Sequence, residues 1–153
     1  MDLVTDSILT EYNPSLITEY SPSILIISSF IFLTNTAAAF YKQYYLYAIL
    51  FGILTITSLI YHSNPNIYIN IIDKIAILSI AIYGGYMLYH KLNIDQLINI
   101  CIIVFTFLLV NFLYIYGYFV NAYCFHEDKC IGNRYHALMH VIGSIGHHFI
   151  IFL

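Results

Sequence analysis

Residues 134–153 read RYHALMHVIGSIGHHFIIFL, and this stretch decides how the rest of the chain is read. It is apolar and long enough to cross a bilayer, yet it carries His136 and His140 four residues apart. On a helix, positions i and i+4 project from one face with Cβ atoms about 5–6 Å apart, so one helix can offer two imidazoles to a single ion. An imidazole within a lipid-embedded segment is costly unless partnered, which makes each one a candidate functional group. The question is whether other segments bring a third ligand and a carboxylate to the same depth.

Composition sets the class. Hydrophobic residues make up 61% of the 153 and charged residues 8%, against about 25% charged in a soluble domain. The chain therefore reads as an all-α, polytopic transmembrane helix bundle, a single unit without room for a second domain. The net charge of -3 says nothing about nucleic acid, and there is no basic run to suggest such a partner. There is no Trp, and Tyr clusters near the expected helix ends (Tyr41, Tyr44, Tyr45, Tyr47; Tyr86, Tyr89; Tyr114, Tyr116, Tyr118) fit interfacial belts. Of the three cysteines, Cys101 lies in an apolar run, while Cys124 and Cys130 flank a polar loop and can pair if it faces an oxidising compartment.

Residues 1–21 form a polar, acidic N-terminal tail without Lys or Arg. It lacks the basic start of a signal peptide, so no cleavage is expected. It lies on the interface as a partly ordered tail, or else Glu11, Asn13 and Glu19 cap the bundle or hold a cation weakly. Residues 22–153 form the bundle. Pro22 opens the first segment, about 23–41, since Pro suits a first helical turn. Lys42-Gln43 separates it from a second, about 44–62, and HSNPN (62–66) turns the chain into a third, about 67–89. A fourth covers about 96–120 and the terminal one 134–153. Each is near the roughly 20 residues a spanning helix needs, which predicts about five spanning helices.

Successive spans alternate direction, so the end of the second, the start of the third and the start of the fifth share one membrane side. Ser58 and His62 lie at that end of the second span, Asp73 about two turns into the third, and His136 and His140 in the first turns of the fifth. All five fall in one leaflet. Zinc takes imidazole nitrogen readily, and three protein ligands with an open position define a catalytic site. His62, His136 and His140 are the candidate metal ligands. Asp73 suits proton transfer between water and a leaving group. Ser58, one turn before His62, suits a water or a developing oxyanion. Orienting an imidazole N–H is an equal alternative for either residue. Ser58 equally suits a hydrogen bond to a neighbouring helix, and Asp73 a local ion pair with Lys74. His147 lies nearly on the face of His136 and lines a deeper pocket or packs beside Gly143 and Gly146. His148 points elsewhere, and His90 and His126 read as interface or loop residues. Gly84-Gly85 and Gly143/Gly146 read as close helix contacts.

The pattern Ser58-x-x-x-His62, Asp73 eleven residues on, and His136-x-x-x-His140 resembles the membrane hydrolase superfamily called CREST, which includes alkaline ceramidases and adiponectin/progestin receptors. HALMHVIGSIG (136–146) is most similar to the alkaline ceramidases, and LITEY (16–20) resembles their N-terminal segment loosely. The resemblance implies zinc on three histidines, Ser58 and Asp73 around the metal's water, and hydrolysis of an amide or ester bond in a membrane lipid. It also implies a site on the lumenal or outer side. Family enzymes have seven helices, against five segments here, and only Glu11 and Asn13 hint at the ceramidase calcium cluster. The positive-inside count, Lys42 and Lys91 against Lys74, Lys129 and Arg134, does not set the orientation. The other class compatible with these residues is a non-enzymatic receptor, fusion or assembly factor that keeps a structural metal site.

Overall fold

A computed structural model describes residues 21–153, and the expectations for the N-terminal tail, including Glu11, Asn13 and Glu19, lie outside it. The order is α1 (Ser21–Ser29), α2 (Phe32–Tyr41), α3 (Tyr45–Ser63), α4 (Ile67–Lys91), α5 (Leu97–Asn111), α6 (Gly117–Val120) and α7 (Lys129–Phe152). A 3-10 turn at Ile94–Gln96 leads into α5, a π turn at Phe112–Tyr116 joins α5 to α6, and a 3-10 turn at Tyr123–Phe125 precedes α7. Every regular element among the described residues is helical, as expected.

Among the described residues, four stretches are long and apolar enough to cross a membrane: Ile24–Tyr41, Tyr45–Ser63, Ile67–Lys91 and Ile94–Val120. With α7, a helix of 24 residues and about 36 Å at 1.5 Å per residue that is not one of these four, they make a multi-pass integral membrane bundle of four to five spans. The outward faces fit that solvent. Ile27, Ile49, Ile82, Phe105 and Phe119 are each more than half exposed, an arrangement suited to acyl chains and costly in water.

The first span departs from the continuous helix expected over 23–41. It breaks between Ser29 and Phe32, where Phe30 N–H bonds to the Ile27 carbonyl and Ile31 N–H to that of Ser28. The cause is local. Ser28 and Ser29 both donate their hydroxyls to the Leu25 carbonyl, at 3.0 and 2.8 Å, in competition with the helical ladder. The last helix starts at Lys129 rather than at Arg134, because Asp128 caps it by accepting from Cys130 N–H at 2.8 Å. At the start of α4, Asn66 accepts from Tyr68 N–H.

Helix α7 packs against α1, α2, α4 and α5, while α3 packs against α1, α2 and α4. Tyr47, Phe51, Phe32, Ile80, Ile103 and Ile151 form the shared apolar core. Tyr47 is therefore no part of an interfacial belt: it is fully buried, its hydroxyl bonded to His147 Nδ1. His147 is a packing residue, with its ring edge-on to Phe51 at 5.2 Å. Tyr41, Tyr45, Tyr89 and Tyr118 stay exposed near helix ends, as expected. At the far end of α7, Lys91 Nζ donates to the carbonyls of Ile150 and Ile151, at 2.9 and 3.1 Å. A cation there satisfies carbonyls that a helix end leaves free and complements its dipole.

The two glycine pairs divide. A Cβ on Gly84 would stand 2.7 Å from the Tyr47 hydroxyl, and one on Gly146 would press on the Thr106 side chain, with Thr106 Cβ at 3.2 Å. Gly85 and Gly143 have open space, so the expected close contact fails at both. Each pair straddles the edge of a packed face, and only one member looks at a neighbour. Cys124 and Cys130 are free thiols; Cys124 Sγ lies 3.1 Å from Met139 Sδ, and burial pushes its pKa up to about 11.

Gly146→Leu is expected to separate α5 from α7 and to lower stability by about 1–3 kcal/mol, the usual range for overpacking. Gly143→Ala should change it little. Thermal unfolding of both variants in one detergent checks this, and equal midpoints would remove the close contact. Cys124 stays a neutral thiol at every pH well below about 11, and it reacts as the thiolate. Its alkylation in the Cys101→Ser/Cys130→Ser background should keep rising about tenfold per pH unit through pH 9 and beyond, and a plateau near pH 9 would refute the shift.

Candidate metal centre

The end of α3 and the first turns of α7 meet inside the bundle. His62, His136 and His140 converge there, with one ligand nitrogen from each lying within 4.8 Å of the others. Ring centroids are 5.1 Å apart for His62–His136, 5.4 Å for His62–His140 and 5.0 Å for His136–His140. The i, i+4 pair comes from one helix as the spacing demands, and the third ring comes from the last turn of α3.

The donor set fits a divalent ion. His62 and His140 are buried and His136 is partly exposed. His62 Nε2 is buried and has no hydrogen-bond partner. An orphaned buried nitrogen costs about 1–3 kcal/mol, and a metal ligand bond would satisfy it. Three neutral imidazoles within this span suit Zn, Cu, Fe or Ni better than Mg or Ca, which prefer oxygen.

Around the rings lies a shell of hydroxyls. Ser28 Oγ is 2.9 Å from His140 Nδ1, and the Phe32 ring packs on His140 at 5.1 Å between centroids. Ser58 is almost wholly buried, and its hydroxyl is 2.8 Å from that of Ser29. It therefore meets a neighbouring helix, the alternative noted from the sequence. Asp73, 3% exposed, accepts from Thr57 Oγ1 at 3.0 Å. Thr57 lies five residues before His62 on α3, so the carboxylate is held against the same end of that helix. Lys74 turns the other way, its ammonium over the Tyr114 ring at 4.9 Å.

Ser28, Ser29 and Thr57 were not singled out from the sequence, although an adjacent serine pair in an apolar run was a visible signal. A second polar layer lies deeper. Asn35 Nδ2 donates to the Ser144 carbonyl at 3.0 Å and lies 2.7 Å from His148 Nδ1, while its oxygen accepts from Ser144 Oγ at 2.6 Å. His148, expected to point elsewhere, thus faces α2.

Fold and site together define a polytopic helical membrane protein with a three-histidine centre able to bind a divalent metal. No protein-family model, curated protein or solved structure matches the chain.

Purified protein is expected to hold about one divalent metal per chain, as one three-ligand site implies. His62→Ala, His136→Ala and His140→Ala should each remove it. Elemental analysis of the four proteins checks this, and unchanged metal content in any variant would strike that residue from the ligand set.

Proposed function

We propose that this chain is a zinc-dependent membrane hydrolase that cleaves an amide or ester bond of a lipid, with its site beneath the lumenal or outer headgroup layer. The observation that carries the reading is the convergence of three imidazoles on α3 and α7 around a buried nitrogen, His62 Nε2, that lacks a protein partner. The resemblance of the Ser58/His62, Asp73 and His136/His140 spacing to the alkaline ceramidases supports the hydrolytic chemistry and the amide preference.

His62, His136 and His140 would hold the ion, which when bound supplies a Lewis acid and makes water a competent nucleophile near neutral pH. Asp73 takes a proton from the attacking water and returns it to the leaving amine or alkoxide. One of its oxygens is held by the Thr57 hydroxyl, so the other is assigned to proton transfer. Ser58, its hydroxyl tied to Ser29, positions the end of α3 on which His62 sits. His136, the more open of the three rings, marks the side from which the scissile carbonyl approaches, and the acyl chains lie among the exposed Ile, Leu and Phe side chains.

The burial of His62 and His140 favours a second reading, in which the same imidazoles clamp α3 to α7 in a non-enzymatic receptor or assembly factor. The two readings separate on turnover. Metal-loaded protein incubated with a panel of labelled ceramides, phospholipids and acylglycerols should release fatty acid from one class. Asp73→Asn should keep its metal and lose activity about 10²–10⁴-fold, the usual contribution of general acid–base catalysis. Full activity in that variant would remove the proton-transfer role, and a metal-loaded protein inert to the whole panel would favour the clamp.

A further inference from the structure

We infer that Ser28, at the break in the first span, is a positioning residue that fixes the tautomer of His140 and thereby aims Nε2 of that ring at the ion. This rests on the metal-centre reading and is independent of whether the centre hydrolyses a lipid.

The inference comes from counting protons. A serine hydroxyl has one proton to donate and two lone pairs with which to accept. Ser28 Oγ lies 3.0 Å from the Leu25 carbonyl oxygen, which can only accept, so its proton is committed there. The same oxygen lies 2.9 Å from His140 Nδ1. With its proton spent on Leu25, Ser28 accepts, and Nδ1 must be the N–H of the ring. A neutral imidazole has one N–H, so Nε2 carries the lone pair, and it is the nitrogen free to bind an ion. The hydroxyl thus does for His140 what a carboxylate or carbonyl does in many metal sites: it holds the ring's orientation and tautomer.

The two serines lie at the end of α1, just before the break in the first span. Here Ser28 and Ser29 both turn their protons onto that one oxygen, and each then presents lone pairs to another helix: Ser28 to His140 on α7, Ser29 to Ser58 on α3. One distorted turn of the first span therefore touches both helices that supply the ligands. The first span carries no metal ligand of its own among the described residues, and this contact ties it to the centre.

The test is metal binding by the full chain in detergent, with Zn²⁺ titrated against a competing chelator and Co²⁺ used as a spectroscopic probe. Ser28→Ala is expected to weaken Zn²⁺ binding about 10–100-fold, as loss of such an outer partner typically does, and to alter the visible absorption of the Co²⁺ form. Ser28→Thr, which keeps the hydroxyl, should restore both. Should Ser28→Ala fail to fold, Ser28→Cys, similar in volume but a poor acceptor, should show the same loss. Parent-like affinity and an unchanged Co²⁺ spectrum in a folded Ser28→Ala or Ser28→Cys protein would overturn the role. A parent protein that takes up neither ion would refute the centre itself, and with it the positioning residue.

Discussion

A polar group inside a bilayer has no water to turn to, so one that its own helix does not satisfy must find its partner on another helix. Helix α7 takes this constraint to an extreme. His136, His140, Ser144 and His148 follow one another at four-residue intervals, so a polar row runs down one face of the helix. Each member is met from elsewhere. His62 stands beside the first two rings, Ser28 binds His140, and Asn35 binds both Ser144 and His148. Tyr47 takes the neighbouring His147. The position of α7 among α1, α2, α4 and α5 follows from satisfying that row, since apolar side chains alone are as well solvated by lipid as by one another.

The same row separates two layers with different character. The deeper layer, Asn35 with Ser144 and His148, is closed: the Asn35 carboxamide uses its oxygen and its nitrogen on α7, and the hydrogen bonds end within the set. Such pairs contribute about 1–2 kcal/mol at most in membranes, and this one locks α2 to α7. The upper layer is open. It leaves His62 Nε2 without a partner and gathers three nitrogens within reach of one ion. Identical chemistry on one helix therefore yields a fastening at one level and a candidate centre at the next. The difference lies in what the facing helices bring, amide and hydroxyl in one layer and a third imidazole in the other.

The serines of the first span show how backbone and site are linked. In an apolar run, two adjacent hydroxyls bond back to the Leu25 carbonyl just before the break and reach sideways to α3 and α7. The distortion weakens one helix locally and connects it to both ligand-bearing helices. Such irregularity persists in membrane helices where side chains re-satisfy the backbone groups it frees.

Much of this was legible in the chain itself. Hydropathy and segment length required a multi-pass helical bundle. The alternation of spans required the ends carrying His62, Asp73 and His136/His140 to share a leaflet, because a helix that crosses must return. The i, i+4 spacing required His136 and His140 to share a face. Three-dimensional packing decided the rest. Which member of each glycine pair meets a neighbour depends on helix rotation, so Gly84 and Gly146 are pressed while Gly85 and Gly143 are free. Tyr47 leaves the interface for the core because its hydroxyl finds His147. Ser28, Ser29 and Thr57 enter the site through contacts between helices distant in sequence. Periodicity places a residue on a face and at a depth, whereas the rotation and register of two packed helices are set by all their side chains at once, and only the folded bundle contains them.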